Sequence, residues 1–124
     1  MTKVDANYLY LEAQKQGLVM ALFNAFGKGV NMSLPLGEKF LQNSIDILDL
    51  SVRSQNCLTR KNVKTIDDLA ETIANPDGLA SMRGLGAKSI NEIKTRLMVC
   101  AYDNLSDRQK LDFLQDMVEK NQTL

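Results

Sequence analysis

Few residue types in this sequence could carry chemistry. The 124 residues contain no His, so the commonest general base and metal ligand is missing, and Cys57 and Cys100 are the only thiols. Two cysteines are too few for a four-Cys zinc site or a disulfide scaffold, and they read as reduced side chains of an intracellular protein. The Asp residues are scattered and form no ligand cluster. No catalytic residue, metal or cofactor is therefore assigned. What remains is a stretch suited to holding phosphate, Leu79 to Leu97, which reads LASMRGLGAKSINEIKTRL. Its glycines let backbone approach an anion closely, and the first-turn N–H groups of the helix that follows lack intrahelical partners. Lys88 and Ser89 stand in that first turn.

A short helix, a tight Gly84-Leu85-Gly86 turn and a second helix form the helix-hairpin-helix pattern. The plainer alternative is a glycine turn between two core helices, with Ser89 merely capping. A second stretch bears on that choice: Leu48 to Leu58 reads LDLSVRSQNCL, and in it Asn56 lies three residues after Arg53, on the same helical face. Between Ser51 and Lys64 stand Arg53, Arg60, Lys61 and Lys64 without an acid, and Asp67, Asp68 and Glu71 follow at once. One basic and one acidic edge are expected on a small domain.

These residues need elements to hold them. Leu11, Leu18, Leu22 and Phe26 predict a helix from about Asn7 to Phe26, with a break possible at Gly17 and a stop at Gly27 and Gly29. Ser33 and Pro35 fit the start of a short helix carrying Leu36, Phe40 and Leu41. Four more helices are legible in the middle of the sequence. Ser51 caps one that runs to about Lys61 with Val52, Cys57 and Leu58 inward, and Thr65 caps one carrying Ile66, Leu69 and Ile73. Asn75-Pro76 opens a third with Leu79 and Met82, and the last starts at Gly86 or Ala87 with Ile90, Ile93 and Leu97. Ser106 and Gln109 suggest a capping box for a final helix with Leu111, Phe113, Leu114, Met117 and Val118. No stretch alternates with period two, so no sheet is expected.

The two motifs together, about thirty residues apart and joined by TIDDLAETIANPDGLASM, resemble the C-terminal domain of the bacterial RNA polymerase alpha subunit, over about Ile45 to Tyr102. The resemblance implies an all-α, compact four- to five-helix domain containing a helix-hairpin-helix, here with extra N- and C-terminal helices. It implies a non-enzymatic module that binds the minor groove of A·T-rich DNA and docks sigma and transcription activators. Position by position, it puts Arg53 in the groove, Asn56 and Cys57 on the same DNA-facing helix end, and Gly86, Lys88 and Ser89 at phosphates, with Glu92 one turn on. A narrow A·T groove concentrates negative potential, which suits an Arg near a helix start. Cys57 reads better as a buried small hydrophobe than as a reactive group, and an alternative role for Glu92 is support of Lys88 across one helical turn. The sequence departs from the family after NCL, where Thr59 stands in place of the usual Lys and Arg60 and Lys61 follow.

The sequence divides on this reading into an N-terminal helical extension (1–43), the DNA-binding domain (44–102) and a C-terminal helix (103–124). Nothing in residues 1–43 resembles the family's large amino-terminal domain. Since Met1 leads without an obvious tag or linker, a free-standing protein is expected in preference to a fragment. The terminal helices either pack on the domain or each other, or offer a surface for a homodimer or another partner. The 15 basic and 15 acidic residues cancel, so any nucleic-acid site is a local patch. The Gly17 to Phe26 apolar stretch is too short to span a membrane, and the expected location is the bacterial cytosol or nucleoid. A competing reading keeps the fold but not the DNA: a decoy that binds sigma or a regulator.

Overall fold

The computed structural model describes residues 5–27, 34–75 and 77–121. Gly29, Ser33, Pro76 and the terminal Gln122-Thr123-Leu124 lie outside them. The α-helices are α1 (Ala6–Gln16), α2 (Leu18–Phe26), α3 (Glu38–Leu41), α4 (Val52–Arg60), α5 (Ile66–Ala74), α6 (Ala87–Asp103) and α7 (Asp107–Asn121), with a 3-10 turn at Ile45–Leu48. Among the described residues the β-type pairing is an isolated Ser44–Thr65 bridge. The all-α expectation holds. No helix among these residues is long and apolar enough to cross a membrane. Two compact units emerge: the described residues of Met1–Pro35 and Ala101–Leu124 form one, and Leu36–Cys100 the other.

In the terminal unit, the Asp5 carboxylate accepts the Asn7 N–H at 2.9 Å and caps α1. Gly17, at φ 89°, then separates α1 from α2, a backbone angle that costs a side-chain-bearing residue dearly. The long helix expected from the sequence is thus two helices, joined at the glycine that marks the possible break. Gly27 ends α2 in the left-handed region at φ 73°. Helix α1 packs on both α2 and α7, and Leu9, Leu22, Leu114 and Met117 are fully buried. Burial of each such side group contributes about 1.5–3 kcal/mol. The Ser106–Gln109 capping box forms as expected, each residue accepting the other's backbone N–H, at 3.3 and 3.0 Å. Tyr102 stands edge-on to Phe113 with centroids 5.7 Å apart, and the Lys110 ammonium lies 5.3 Å from the Tyr102 ring centre. The Tyr102 hydroxyl is buried without a hydrogen-bond partner among the described residues. Burial foremost, then the charges of Tyr10, Asp103 and Asp107, push that phenol up to about 12.

The second unit is built on Ile45, Leu48, Leu58, Ile66, Leu69 and Ile93, all at or near zero exposure. Ser51 caps α4, accepting the Ser54 N–H at 3.3 Å. At α5, Thr65 and Asp68 make a reciprocal capping box. Asp68 also accepts the Lys64 N–H, and these backbone hydrogen bonds hold its carboxyl below the usual range. Backbone hydrogen bonds from Ile45 to the Lys64 carbonyl and from Ile66 to the Asn43 carbonyl tie the segment before α4 to the start of α5. Arg96 of α6 donates from Nε to the Leu48 carbonyl at 2.8 Å, which anchors the 3-10 turn.

Three sequence expectations are corrected in this unit. The helix expected from Ser33 and Pro35 begins only at Glu38, with Gly37 as its cap. Val52, expected inward, is 77% exposed, because the first residue of α4 precedes the turn that faces the core. Residues 77–84 form successive turns where a short helix was expected from Asn75. Gly78 there runs so close to the Thr72 carbonyl that any Cβ would collide with it. Leu79 and Met82 are buried as expected, so the first arm of the hairpin keeps its inward side chains without a regular helix.

Candidate nucleic-acid interface

The two motifs, more than thirty residues apart in sequence, are joined by hydrogen bonds between α4, the glycine turn and α6. Glu92 makes the firmest connection. Its carboxylate accepts the Ser51 N–H at 3.0 Å, the Ser51 hydroxyl at 2.9 Å and the fully buried Ser54 hydroxyl at 2.6 Å. The Ser54 bond foremost, with those from Ser51 and the charge of Arg96, holds the Glu92 carboxyl below its ordinary value against the opposing effect of burial. A carboxylate at the N-terminus of α4 also complements the helix dipole. Glu92 thus fixes the turn from which Arg53 projects. No Lys88–Glu92 ion pair, the contact of the alternative role, is formed among the described residues.

Arg53 is exposed, and its Nε donates to the Gly84 carbonyl at 3.4 Å. Gly84 has φ 94°, and a Cβ there would stand 3.1 Å from the Cys57 Sγ. Glycine is therefore demanded at 84 both by backbone angle and by close approach. Gly86, assigned a contact through the resemblance, has open space around it and no left-handed φ. Its carbonyl accepts the Ile90 N–H at 3.0 Å and so opens α6, leaving Lys88 exposed and Ser89 half-buried in the first turn. The N–H groups of this turn have no intrahelical acceptor.

Cys57 is 3% exposed, as the small-hydrophobe reading expects, and its thiol lies 3.8 Å from the Arg83 carbonyl. It nevertheless reaches the floor of a cleft of about 530 Å³ whose lining is Arg53, Asn56, Cys57, Thr59, Arg60 and Gly84. The structure thus brings Arg53, Asn56 and Cys57 together on one cleft with the glycine turn. Gly86, Lys88 and Ser89 lie beyond it, at the start of α6, and Glu92 is committed to the serines. Among the described residues neither Arg53 nor Arg60 is in an ion pair.

Sequence reasoning misses three of these participants. Ser54 is a buried polar residue whose only sequence hint is its place in the first turn of α4. Nothing local announces that its partner is 38 positions away. Gly84 reads in the sequence as half of a turn, and its demand for glycine comes from the neighbouring Cys57. Arg60 stands out there as part of the basic run from Arg53 to Lys64 and as a departure from the family pattern, and neither signal aims it at the cleft.

No solved structure matches the sequence. The DNA-directed RNA polymerase subunit alpha of Alkaliphilus oremlandii (strain OhILAs) is 43% identical over 60 residues, which are 48% of this protein and 18% of that one. The matched region is therefore under a fifth of that relative's length. The family described as the C terminal domain of the bacterial RNA polymerase alpha chain matches residues 34–98. That match spans just over half of the sequence, including α4, the glycine turn and most of α6, and the protein belongs to this family, a non-catalytic domain of the polymerase.

Proposed function

We propose that the Leu36–Cys100 unit binds A·T-rich duplex DNA through its minor groove and serves as a non-enzymatic transcription module. Arg53 enters the groove, Asn56 and Cys57 line the same face, and Gly86, Lys88 and Ser89 meet backbone phosphates at the start of α6. Glu92 acts by holding Ser51 and Ser54, and so positions Arg53 without itself touching DNA. The observation that carries the reading is the exposed Arg53 side chain, held by the Gly84 carbonyl at the mouth of a cleft and engaged by no carboxylate among the described residues. An unneutralised guanidinium on a concave surface suits the negative potential of a narrow groove. RNA polymerase, sigma and transcription activators are the protein partners that the family suggests, in the bacterial cytosol or nucleoid.

Fluorescence anisotropy with labelled A·T-rich and G·C-rich duplexes at two salt concentrations tests this. Wild type should prefer the A·T-rich duplex and weaken steeply with salt, and a folded Arg53→Ala variant should lose the preference. Absence of binding to either duplex at low salt would leave the decoy reading, a protein-binding module of the same fold.

The terminal unit supports a second element of the proposal, pairing of two copies. Tyr8 and Leu11 of α1 and Met20 and Phe23 of α2 are each at least half exposed, an unusual concentration of large apolar side chains on two short helices. Sedimentation of wild type beside a Phe23→Asp variant decides it: a dimer that the substitution dissociates is expected, and a wild-type monomer at high concentration would refute it.

A further inference from the structure

We propose that Arg60 is a second DNA-binding arginine of the cleft, contacting a backbone phosphate at the edge of the groove that Arg53 enters. This rests on the DNA-binding reading above and adds to it a residue that the resemblance does not assign. Arg53 and Arg60 are seven residues apart, two turns of α4, so they fall on one face with their Cα atoms about 10 Å apart along the axis. Both line the same cleft. A minor groove is about 6 Å wide, so with Arg53 inside it, a second guanidinium lining the same cleft meets the phosphates along its wall.

Two observations show that the Arg60 side chain is held toward the cleft. Its Nη2 donates to the Cys57 Sγ at 3.3 Å, which turns the guanidinium back along α4. A Cβ placed on Gly84 would lie 3.7 Å from the same Nη2, so the guanidinium borders the turn that also receives Arg53. One of its five N–H donors is used by the sulfur, and the remaining fork faces no carboxylate at ion-pair distance among the described residues. Planar, doubly presented donors of this kind match a phosphate. The neighbours offer no substitute. The Thr59 hydroxyl is tied to the Gln55 carbonyl at 2.9 Å, and Lys61 lines a different depression, with Asp68 and Glu71. Cys57 acquires a role in this arrangement as the buried acceptor that aims Arg60.

The test measures binding of the full-length protein to A·T-rich and G·C-rich duplexes across a salt series, for wild type, Arg60→Ala, Arg60→Lys and Lys61→Ala, each verified as folded by circular dichroism. Arg60→Ala should weaken binding to both duplexes by roughly tenfold and equally, and lower the slope of log K against log salt by about 1. Arg60→Lys should keep most of the slope, since the charge remains, and Lys61→Ala should change it little. A slope and affinity unchanged in Arg60→Ala, with wild type binding normally, would overturn the assignment while leaving the Arg53 site intact. An equal effect of Lys61→Ala would also overturn it, since the cause would then be general charge. Wild type that binds neither duplex would refute both this inference and the reading beneath it.

Discussion

The two units of this protein are held together by different means. In the Leu36–Cys100 unit, polar contacts join residues far apart in sequence: Ser51 and Ser54 to Glu92, Arg53 to Gly84, Arg96 to Leu48. These bonds converge on the start of α4, the element that carries the candidate site. In the terminal unit the side-chain bonds are mostly local, such as Gln16 to Glu12, and the large side chains of Leu9, Leu22, Leu114 and Met117 are simply buried. Among the described residues that unit also keeps four of the six exposed large hydrophobic side chains, Ile47 and Val52 being the others. Directional hydrogen bonds fix a side chain to a geometry, whereas apolar burial fixes only a face. Precision is concentrated at the candidate site that carries Arg53 and Arg60.

The sharpest way to test that contrast is to damage each unit by its own means. Leu114→Ala should cost about 2–5 kcal/mol in chemical denaturation, the range for a fully buried leucine, and leave the A·T over G·C preference of the folded protein unchanged. A lost preference would mean that the terminal unit takes part in aiming the site.

Removal of the polar clamp should do the reverse. Glu92→Ala leaves the Ser51 N–H and hydroxyl without their acceptor and the buried Ser54 hydroxyl unsatisfied, and should cost about 1–2 kcal/mol, while reducing Arg53-dependent binding. The Glu92 carboxyl is held below its ordinary value of 4.5, so its contribution is complete above the unfolded-state value and is lost as pH falls through the lowered one. Wild-type stability should therefore drop below about pH 4.5 by an amount that Glu92→Gln removes from the acid limb. Identical acid limbs for the two proteins would show that the clamp contributes nothing.

The smallest effect is expected at Tyr102. Its buried hydroxyl lacks a partner among the described residues, so Tyr102→Phe should change stability by less than about 1 kcal/mol, in the stabilising direction, with the ring contacts to Phe113 and Lys110 retained. Because the folded phenol sits near 12 against an ordinary 10, wild type should lose stability as pH rises from 10 toward 12, where only the unfolded state ionises. The Phe variant should lack that component, and a destabilising effect near neutral pH would point to a hydroxyl partner in solution.

These differences also explain what is legible in the sequence. The caps at Ser51, Thr65 and Ser106 and the break at Gly17 depend on residues three or four positions away, so composition and spacing reveal them. The fold class and the two motifs are legible for the same reason. Val52 is misplaced by periodicity because a single turn cannot distinguish the first residue of a helix from an inward one. The expected helix after Asn75 is replaced by turns, and the proximity of Gly78 there to the Thr72 carbonyl belongs to the packed structure. Within the site, Arg53, Asn56 and Cys57 can be picked out by motif. Glu92 is picked out by the motif too, but its partner Ser51, 41 residues away, is not, nor is the buried thiol that orients Arg60.

The central claim is that α4 and the turn leading into α6 present one DNA-binding face. Titration of an A·T-rich duplex into the uniformly 15N-labelled protein, followed by amide chemical shifts, tests it most directly. Shifts concentrated in Ser51 to Arg60 and Gly84 to Ser89 are expected, with little change in α1 and α2. Shifts confined to the terminal helices, or none at low salt, would contradict it.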